Sequence, residues 1–134
     1  MKRAVFFLSD RTGITVEMMG QSLLTQFESI EFEQTNLPFI DSLEKAQEAV
    51  EQINAASQEL ENKPLLFSTL INEEVRTVIA QSEGVLFDMF NTFTPLLEKE
   101  LGIPSTHTMG RTHGMGIYST YKARIDALNF ALNS

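Results

Sequence analysis

Apolar residues in this chain follow two kinds of spacing that alternate from the N-terminus onward. Consecutive apolar residues form short runs at positions 4–8, 64–69 and 85–90, and apolar and polar residues alternate within positions 30–40. Apolar residues three or four positions apart follow each of these stretches. Short apolar runs indicate buried strands, and the wider spacing indicates amphipathic helices. The pattern therefore predicts four strands, each followed by a helix.

The stretch at positions 30–40 differs from the other three predicted strands. It begins with the alternation Ile30, Glu31, Phe32, Glu33, and Pro38 interrupts it. Alternation with a terminating proline is typical of a strand near the edge of a sheet.

Five helices are predicted from apolar residues at helical spacing. The positions that define them are Val16, Met19, Leu23 and Phe27; Leu43, Ala46, Val50, Ile53 and Leu60; Val75, Val78 and Ile79; residues 91–101; and Tyr121, Ile125, Leu128 and Leu132. Asp41 and Glu44 have capping-box spacing at the start of the second helix, and Asn72 precedes the third. Gly102 should end the fourth helix, in which Pro95 is tolerable only within the first turn.

Strands that alternate with helices in this way pair in parallel, through right-handed crossovers. The predicted fold is therefore α/β: an open, mostly parallel sheet of about four strands with helices on both faces, in three layers. Ligands bind such sheets beyond the carboxyl ends of the strands. Those ends bring Ser9 and Asp10, Ser68 and Thr69, and Asp88 to one edge.

The turn between the first strand and the first helix is the main candidate site. It reads Ser9, Asp10, Arg11, Thr12, Gly13, Ile14, Thr15. Free N–H groups and the dipole of a helix N-terminus favour a phosphate or carboxylate there, and hydroxyl groups of Ser9, Thr12 and Thr15 could add donors. The same residue types are also ordinary capping and turn residues. Spacing alone leaves both interpretations open.

Composition narrows the function classes. The 134 residues suffice for one domain with a packed core, and 43% of them are hydrophobic. The chain has no cysteine and two histidines, which excludes thiolate chemistry and argues against a zinc site, so no metal is predicted. A net charge of −8 argues against nucleic-acid binding. With no signal-peptide pattern and no membrane-spanning run, we expect a cytoplasmic protein that does not bind membranes.

The acidic residues are concentrated in the middle of the chain, and both ends carry a slight excess of basic residues. The C-terminal basic region includes residues 103–116, a stretch without periodicity that is rich in Gly, Thr and His. Arg111 and His113 in this predicted loop are side chains suited to phosphate or carboxylate. A solvated surface loop explains them equally simply.

Common phosphate-binding and catalytic signatures are absent. The chain contains no Walker A motif, no Gly-x-Gly-x-x-Gly after the first strand and no Gly-x-Ser-x-Gly elbow. A phosphoacceptor receiver domain would need an acidic pair after the first strand and an Asp after the third, where Ser9-Asp10 and Ser68-Thr69 stand instead. Spacing supports only an α/β domain that binds an anion.

The stretch from Ser9 to Glu17 resembles the opening signature of the regulatory proteins of pyruvate, phosphate dikinase and phosphoenolpyruvate synthase. The resemblance continues in order along nearly the whole chain, at Leu37-Pro38-Phe39, Pro64-Leu65-Leu66-Phe67-Ser68, Asp88 with Pro95, Arg111-Thr112-His113-Gly114, and Tyr121 with Arg124-Ile125-Asp126-Ala127. Arg11 departs from the pattern, because many members carry a small residue there.

The resemblance implies a bifunctional enzyme. Members of this family are ADP-dependent Ser/Thr kinases that inactivate the dikinase by phosphorylating a threonine, and phosphorylases that reverse the modification with inorganic phosphate and release pyrophosphate. From residue type, our hypothesis is that Asp10 is a catalytic residue and that phosphate or substrate is contacted by Ser9, Thr12, Gly13, Thr15, Arg111 and His113. The implied partners are the dikinase or phosphoenolpyruvate synthase and phosphate, and homodimer formation stays open.

Family members are about twice as long as this chain, and their Gly-rich phosphate loop lies beyond residue 134. The resemblance therefore implies that residues 1–134 form a single N-terminal α/β domain without a cofactor of its own. ADP and phosphate would be substrates of the longer protein, and we predict that this chain alone is inactive as a kinase. The alternative is a non-catalytic domain that docks the dikinase or dimerises, with all chemistry in the other half.

Overall fold

A computed structural model describes residues 1–106, which form four strands and four helices in strict alternation. The order along the chain is β1 (Lys2–Leu8), α1 (Ile14–Leu24), β2 (Glu31–Leu37), α2 (Leu43–Leu60), β3 (Leu65–Ser68), α3 (Glu73–Ala80), β4 (Val85–Asp88) and α4 (Met89–Leu101). The predicted C-terminal helix, and the predicted loop from residue 107 onward, lie outside the described residues. No helix of the described part is long and apolar enough to cross a bilayer.

The four strands form one open sheet in the order β2-β1-β3-β4, and every pair is parallel. Leu8 pairs with Leu37 on one side and with Ser68 on the other, and Ser68 in turn pairs with Asp88. The carboxyl ends of all four strands therefore meet at one edge. The α/β fold and the edge position of β2 are confirmed.

Two apolar clusters lie on opposite faces of the sheet. Helices α2 and α3 cover one face, where Phe6, Leu66 and Ile53 are buried together. Helix α1 and the first residue of α4 cover the other face, where Phe7, Val16 and Met89 belong to one cluster. Alternate residues of β1 and β3 supply the two clusters, because successive side chains of a strand point to opposite faces. The predicted three-layer arrangement is confirmed.

The predicted apolar face of α1 was largely wrong. Met19, Leu23 and Phe27 are exposed, and only Val16 of the predicted set is buried. The buried stripe is instead Val16, Gly20 and Leu24. Gly20 permits close packing, since a Cβ placed there would lie 2.3 Å from Cε1 of Phe7. The prediction failed because it used only the positions of apolar side chains, and glycine has no side chain.

Two predicted features of helices α2 and α4 were also wrong. Ser42 caps α2 by accepting a hydrogen bond from the Lys45 amide at 3.1 Å, so the capping-box assignment to Asp41 was one residue early. Strand β4 ends at Asp88, whose side chain caps α4, and Met89 and Phe90 are therefore helical. Pro95 consequently lies in the interior of α4.

Candidate functional site

Strands β1 and β3 are neighbours in the sheet, but the helices that follow them lie on opposite faces. Helix α1 packs with the cluster that contains Phe7, and α3 packs with the cluster that contains Phe6. This divergence makes the carboxyl edge between the two strands the switch point of the sheet. Open α/β sheets bind ligands at such a place, and we refer to it as the crevice. The turn from Ser9 to Gly13 and the segment Ser68-Thr69 border this crevice.

Helix α1 begins without a side-chain cap. Its N-cap residue is Gly13, with φ 83° and no hydrogen bond from a side chain to the first turn. The Gly13 carbonyl accepts the first helical bond from Glu17 N–H at 3.0 Å. The amide groups that precede Glu17 in the first turn need a partner from outside the helix. The turn thus offers backbone donors to an anion.

Gly13 is fixed in place by its neighbour on β2. A Cβ at this position would lie 2.8 Å from Oδ1 of Asn36, and the φ of 83° is itself unfavourable for a side chain. The Asn36 amide also donates to Glu17 at 3.3 Å. The glycine therefore lets the turn approach β2 closely while it opens the helix.

Ser9 is fully buried and ties the turn to the end of β2. Its hydroxyl oxygen accepts from the Arg11 amide at 2.9 Å. Its backbone N–H donates to the Leu37 carbonyl, and its own carbonyl accepts from Ile40 N–H at 2.9 Å. A further bond of 2.8 Å joins the Phe39 amide to the Arg11 carbonyl. The hydrogen bonds of Ser9 thus fix the position of the turn relative to the end of β2.

Asp10 is half-buried beside this turn. Burial raises the pKa of its carboxyl group above the ordinary value, and the nearby negative charge of Asp41 acts in the same direction. The Arg11 guanidinium and a hydrogen bond from the Asp10 amide oppose the pKa shift without cancelling it. A carboxylate with a raised pKa is better suited to accept a proton near neutral pH than a solvated one.

The end of β3 lies directly beside the end of β1. The Thr69 amide donates to the Leu8 carbonyl at 3.1 Å, which continues the strand pairing by one residue. The Ser68 hydroxyl accepts from the Leu70 amide at 3.0 Å. The Thr69 hydroxyl is buried and has no hydrogen-bond partner among the residues that the structure describes.

The end of β4 is occupied by a structural ion pair. Oδ2 of Asp88 lies 2.8 Å from an Arg76 guanidinium nitrogen, and Oδ1 accepts from the Phe90 and Asn91 amides. Both side chains of the pair are mostly buried. Asp88 thus holds α3, β4 and the start of α4 together, and both of its carboxylate oxygens are already engaged.

The predicted site residues fall into three groups. Ser9, Asp10 and Gly13 lie at the crevice with the contacts just described, and Thr12 and Thr15, exposed and half-buried, flank the first turn of α1. Arg111 and His113 lie outside the described residues, so their approach to this turn stays a prediction. A shallow depression of about 420 Å³ lies elsewhere, between α1 and β2, and includes none of the predicted residues.

Sequence reasoning placed Thr69 at this edge without giving it a role. The ion pair of Arg76 with Asp88 was also missed, because Arg76 reads as one more charged residue on an amphipathic helix. The signal for Thr69 is a hydroxyl at the end of an apolar strand beside the first strand. That signal becomes specific only when the sheet order is known.

An open parallel sheet with a helix N-terminus that lacks a side-chain cap at its switch point defines an α/β protein of the doubly wound type. A family model described as kinase/pyrophosphorylase matches residues 5–134. The chain belongs to this kinase/pyrophosphorylase family.

Curated relatives bear the name "Putative phosphoenolpyruvate synthase regulatory protein". The protein from Hahella chejuensis is 54% identical over 134 residues, which cover 100% of this chain and 49% of that protein. The protein from Alkalilimnicola ehrlichii is 54% identical over 132 residues, 98% of this chain and 48% of that protein. A Pseudomonas fluorescens protein is 46% identical over 134 residues and is covered to 49%. The chain thus spans about half the length of the curated relatives it matches.

Proposed function

We propose that this chain is the N-terminal half of a regulator that reversibly phosphorylates a threonine of phosphoenolpyruvate synthase or pyruvate, phosphate dikinase. The longer protein would use ADP as phosphoryl donor in one direction and inorganic phosphate as acceptor, with release of pyrophosphate, in the other. The family membership and the names of the relatives support this proposal. The nucleotide would be held mainly outside residues 1–134.

One observation carries the assignment of a phosphate site to this half. Helix α1 opens at the switch point of the sheet on Gly13, without a side-chain cap. The amides of the first turn and the helix dipole then favour a phosphoryl group at that place. Thr12 and Thr15 add hydroxyl groups beside it, and Arg111 and His113 are proposed to supply charge from the C-terminal part of the chain.

Asp10 is the proposed proton acceptor of the transfer. In the kinase direction, the target threonine hydroxyl would lose its proton to the Asp10 carboxylate as its oxygen bonds to the β-phosphorus of ADP. The bond from that phosphorus to the bridging oxygen would break, and AMP would leave. The partly buried position and raised pKa of Asp10 suit this role. Asp10 lies two residues after the end of β1 and three residues before Gly13, in the same turn as the amides proposed to hold the phosphoryl group.

A chimera tests the proposal. Residues 1–134 would be joined to the second half of the Hahella chejuensis relative, and both reactions would be assayed on phosphoenolpyruvate synthase and on the dikinase. We expect Asp10→Asn to lower both rates by about 100-fold or more, the usual contribution of a general base. Glu51→Gln makes the same carboxyl-to-amide change on the exposed side of α2 and should leave both rates unchanged. Equal rates for the Asp10 variant and the parent chimera would refute the assignment.

A second function is favoured by the surface of α4. Of its thirteen residues only Met89 is buried, and Phe93, Leu96, Leu97 and Leu101 are all exposed. An exposed apolar face of this kind is typical of a protein contact. The alternative is therefore a non-catalytic domain that docks phosphoenolpyruvate synthase through α4.

Titration calorimetry of this chain with phosphoenolpyruvate synthase separates the two functions. Docking through α4 predicts binding that is lost on Leu97→Asp and is indifferent to phosphate and to Arg111→Ala. The enzymatic proposal predicts that this chain alone has no kinase activity. ADP-dependent phosphorylation of the synthase by residues 1–134 would contradict that expectation.

A further inference from the structure

We infer that the hydroxyl group of Thr69 is a hydrogen-bond donor to a phosphoryl group bound at the N-terminus of α1. The inference rests on the proposed phosphate site and extends it to a residue on a different strand. It assigns the second wall of the crevice to the end of β3.

The first observation is the state of the hydroxyl itself. Thr69 is only 3% exposed, and its Oγ1 has no hydrogen-bond partner among residues 1–106. Buried hydroxyl groups are nearly always paired, because an unpaired one has lost its hydrogen bonds to water without a replacement. The neighbouring Ser68 hydroxyl, equally buried, has its partner in the Leu70 amide. Thr69 is therefore the exception within this segment.

The second observation is the face of the sheet to which Thr69 belongs. Leu66 and Leu70 pack in the cluster under α2 and α3, whereas Phe67 packs in the cluster under α1. Side chains alternate along an extended segment, and the bond from the Thr69 amide to Leu8 shows that the strand pairing reaches this residue. Thr69 thus lies on the face of α1, one step beyond Phe67 toward the carboxyl edge.

The start of α1 lies over the same place. Val16, in the first turn, is fully buried in the cluster that contains Phe67. The N-cap Gly13 lies nearly one helical turn before Val16 and is therefore closer to the carboxyl edge of the sheet. Thr69 is likewise closer to that edge than Phe67. The unpaired hydroxyl and the uncapped amides therefore border the same end of the crevice.

A phosphoryl group matches this combination of donors. Its oxygens accept several hydrogen bonds at once, and a threonine hydroxyl with backbone amides supplies donors from two sides. Because Oγ1 has almost no surface open to solvent, binding requires a local shift of the residues that cover it. Inorganic phosphate and the phosphoryl group of phosphothreonine share this chemistry.

The test measures binding of inorganic phosphate and of O-phospho-L-threonine to residues 1–134 by titration calorimetry. Thr69→Val keeps the shape of the side chain and removes the hydroxyl, and Thr69→Ser keeps the hydroxyl. Ser68→Ala is the matched control, since it removes a buried hydroxyl from the adjacent position. Thermal unfolding of each variant shows that it is folded.

We expect Thr69→Val to weaken binding about ten-fold, the usual effect of a lost hydrogen bond to a charged group. Thr69→Ser and Ser68→Ala should stay close to the parent affinity, and the tighter of the two ligands identifies the source of the phosphoryl group. Unchanged affinity of the Thr69→Val variant would overturn the role of Thr69 and leave the phosphate site standing. Failure of the parent chain to bind either ligand would overturn both. If the Thr69→Val variant does not fold, the affinities of Thr69→Ser and Thr69→Ala are compared instead. The inference predicts tighter binding by Thr69→Ser, which keeps the hydroxyl group, and equal affinities of these two variants would overturn it.

Discussion

Replacement of Gly13 by Ala tests the geometry of the turn most directly. The left-handed φ of 83° costs a residue with a Cβ about 1–2 kcal/mol, partly offset by the lower entropy of the unfolded chain. The new Cβ also lies 2.8 Å from Oδ1 of Asn36, which must rotate away and give up its bond to Glu17. An exposed hydrogen bond of this kind contributes about 0.5–1 kcal/mol. We expect a total loss of about 2 kcal/mol in the free energy of unfolding.

Gly102 provides the matched control. Its φ of 76° is nearly the same, but a Cβ there would have no neighbour within 4 Å among residues 1–106. Gly102→Ala should therefore show the backbone cost alone, about 1 kcal/mol. Urea unfolding followed by circular dichroism gives both values. In an Asn36→Ala background the cost of Gly13→Ala should fall to that of Gly102→Ala. Equal costs in the parent background, with no relief from the Asn36 change, would refute the reasoning.

Three further predictions concern the caps and charges. Ser42→Ala should lower the free energy of unfolding by about 1 kcal/mol, because Ser42 loses its bond to the Lys45 amide. Asp41→Ala removes only an exposed ion pair and should lower it by less than about 0.5 kcal/mol. Urea unfolding distinguishes the two variants, and the reverse order would identify Asp41 as the cap. Asp88→Ala should lower the free energy of unfolding by about 3–5 kcal/mol, because it removes two capping bonds and leaves Arg76 mostly buried without its closest carboxylate. A loss below about 1 kcal/mol in the same assay would contradict the structural role of the ion pair. Asp10 has a raised pKa, so the folded state favours its protonated form: the resulting stability is present below the unfolded pKa of about 3.9 and is lost as the pH rises through the higher folded pKa. The stability of the Asp10→Asn variant minus that of the parent should therefore be larger at pH 7 than at pH 3, as measured by thermal unfolding. A difference in stability that does not change with pH would contradict this prediction.

The order of elements could be predicted from sequence because strand and helix periodicities are local properties. Runs such as Leu65 to Ser68 and the spacing of Val75 and Ile79 depend only on residues close together in the chain. Parallel pairing then followed from the helical crossovers between strands. The turn from Ser9 to Gly13 could be singled out for the same reason, since strand, turn and helix start are contiguous.

Which face of each helix is buried, and which polar groups meet, depends on contacts between elements distant in the chain. Met19, Leu23 and Phe27 satisfied the helical spacing, yet Gly20 lies against Phe7 because the sheet approaches α1 on that side. Amphipathic spacing cannot locate the contact face when apolar residues occur on both sides of a helix.

The candidate site shows the same division. The local pattern of residues was enough to predict that a strand ends near Leu8 and that a turn with the residue types of an anion site follows it. Only the sheet order β2-β1-β3-β4 brought Thr69 beside that turn, and only the packing of α3 brought Arg76 to Asp88. The physical reason is that hydrogen bonding and desolvation at these groups depend on neighbours distant in the chain, which no local pattern encodes.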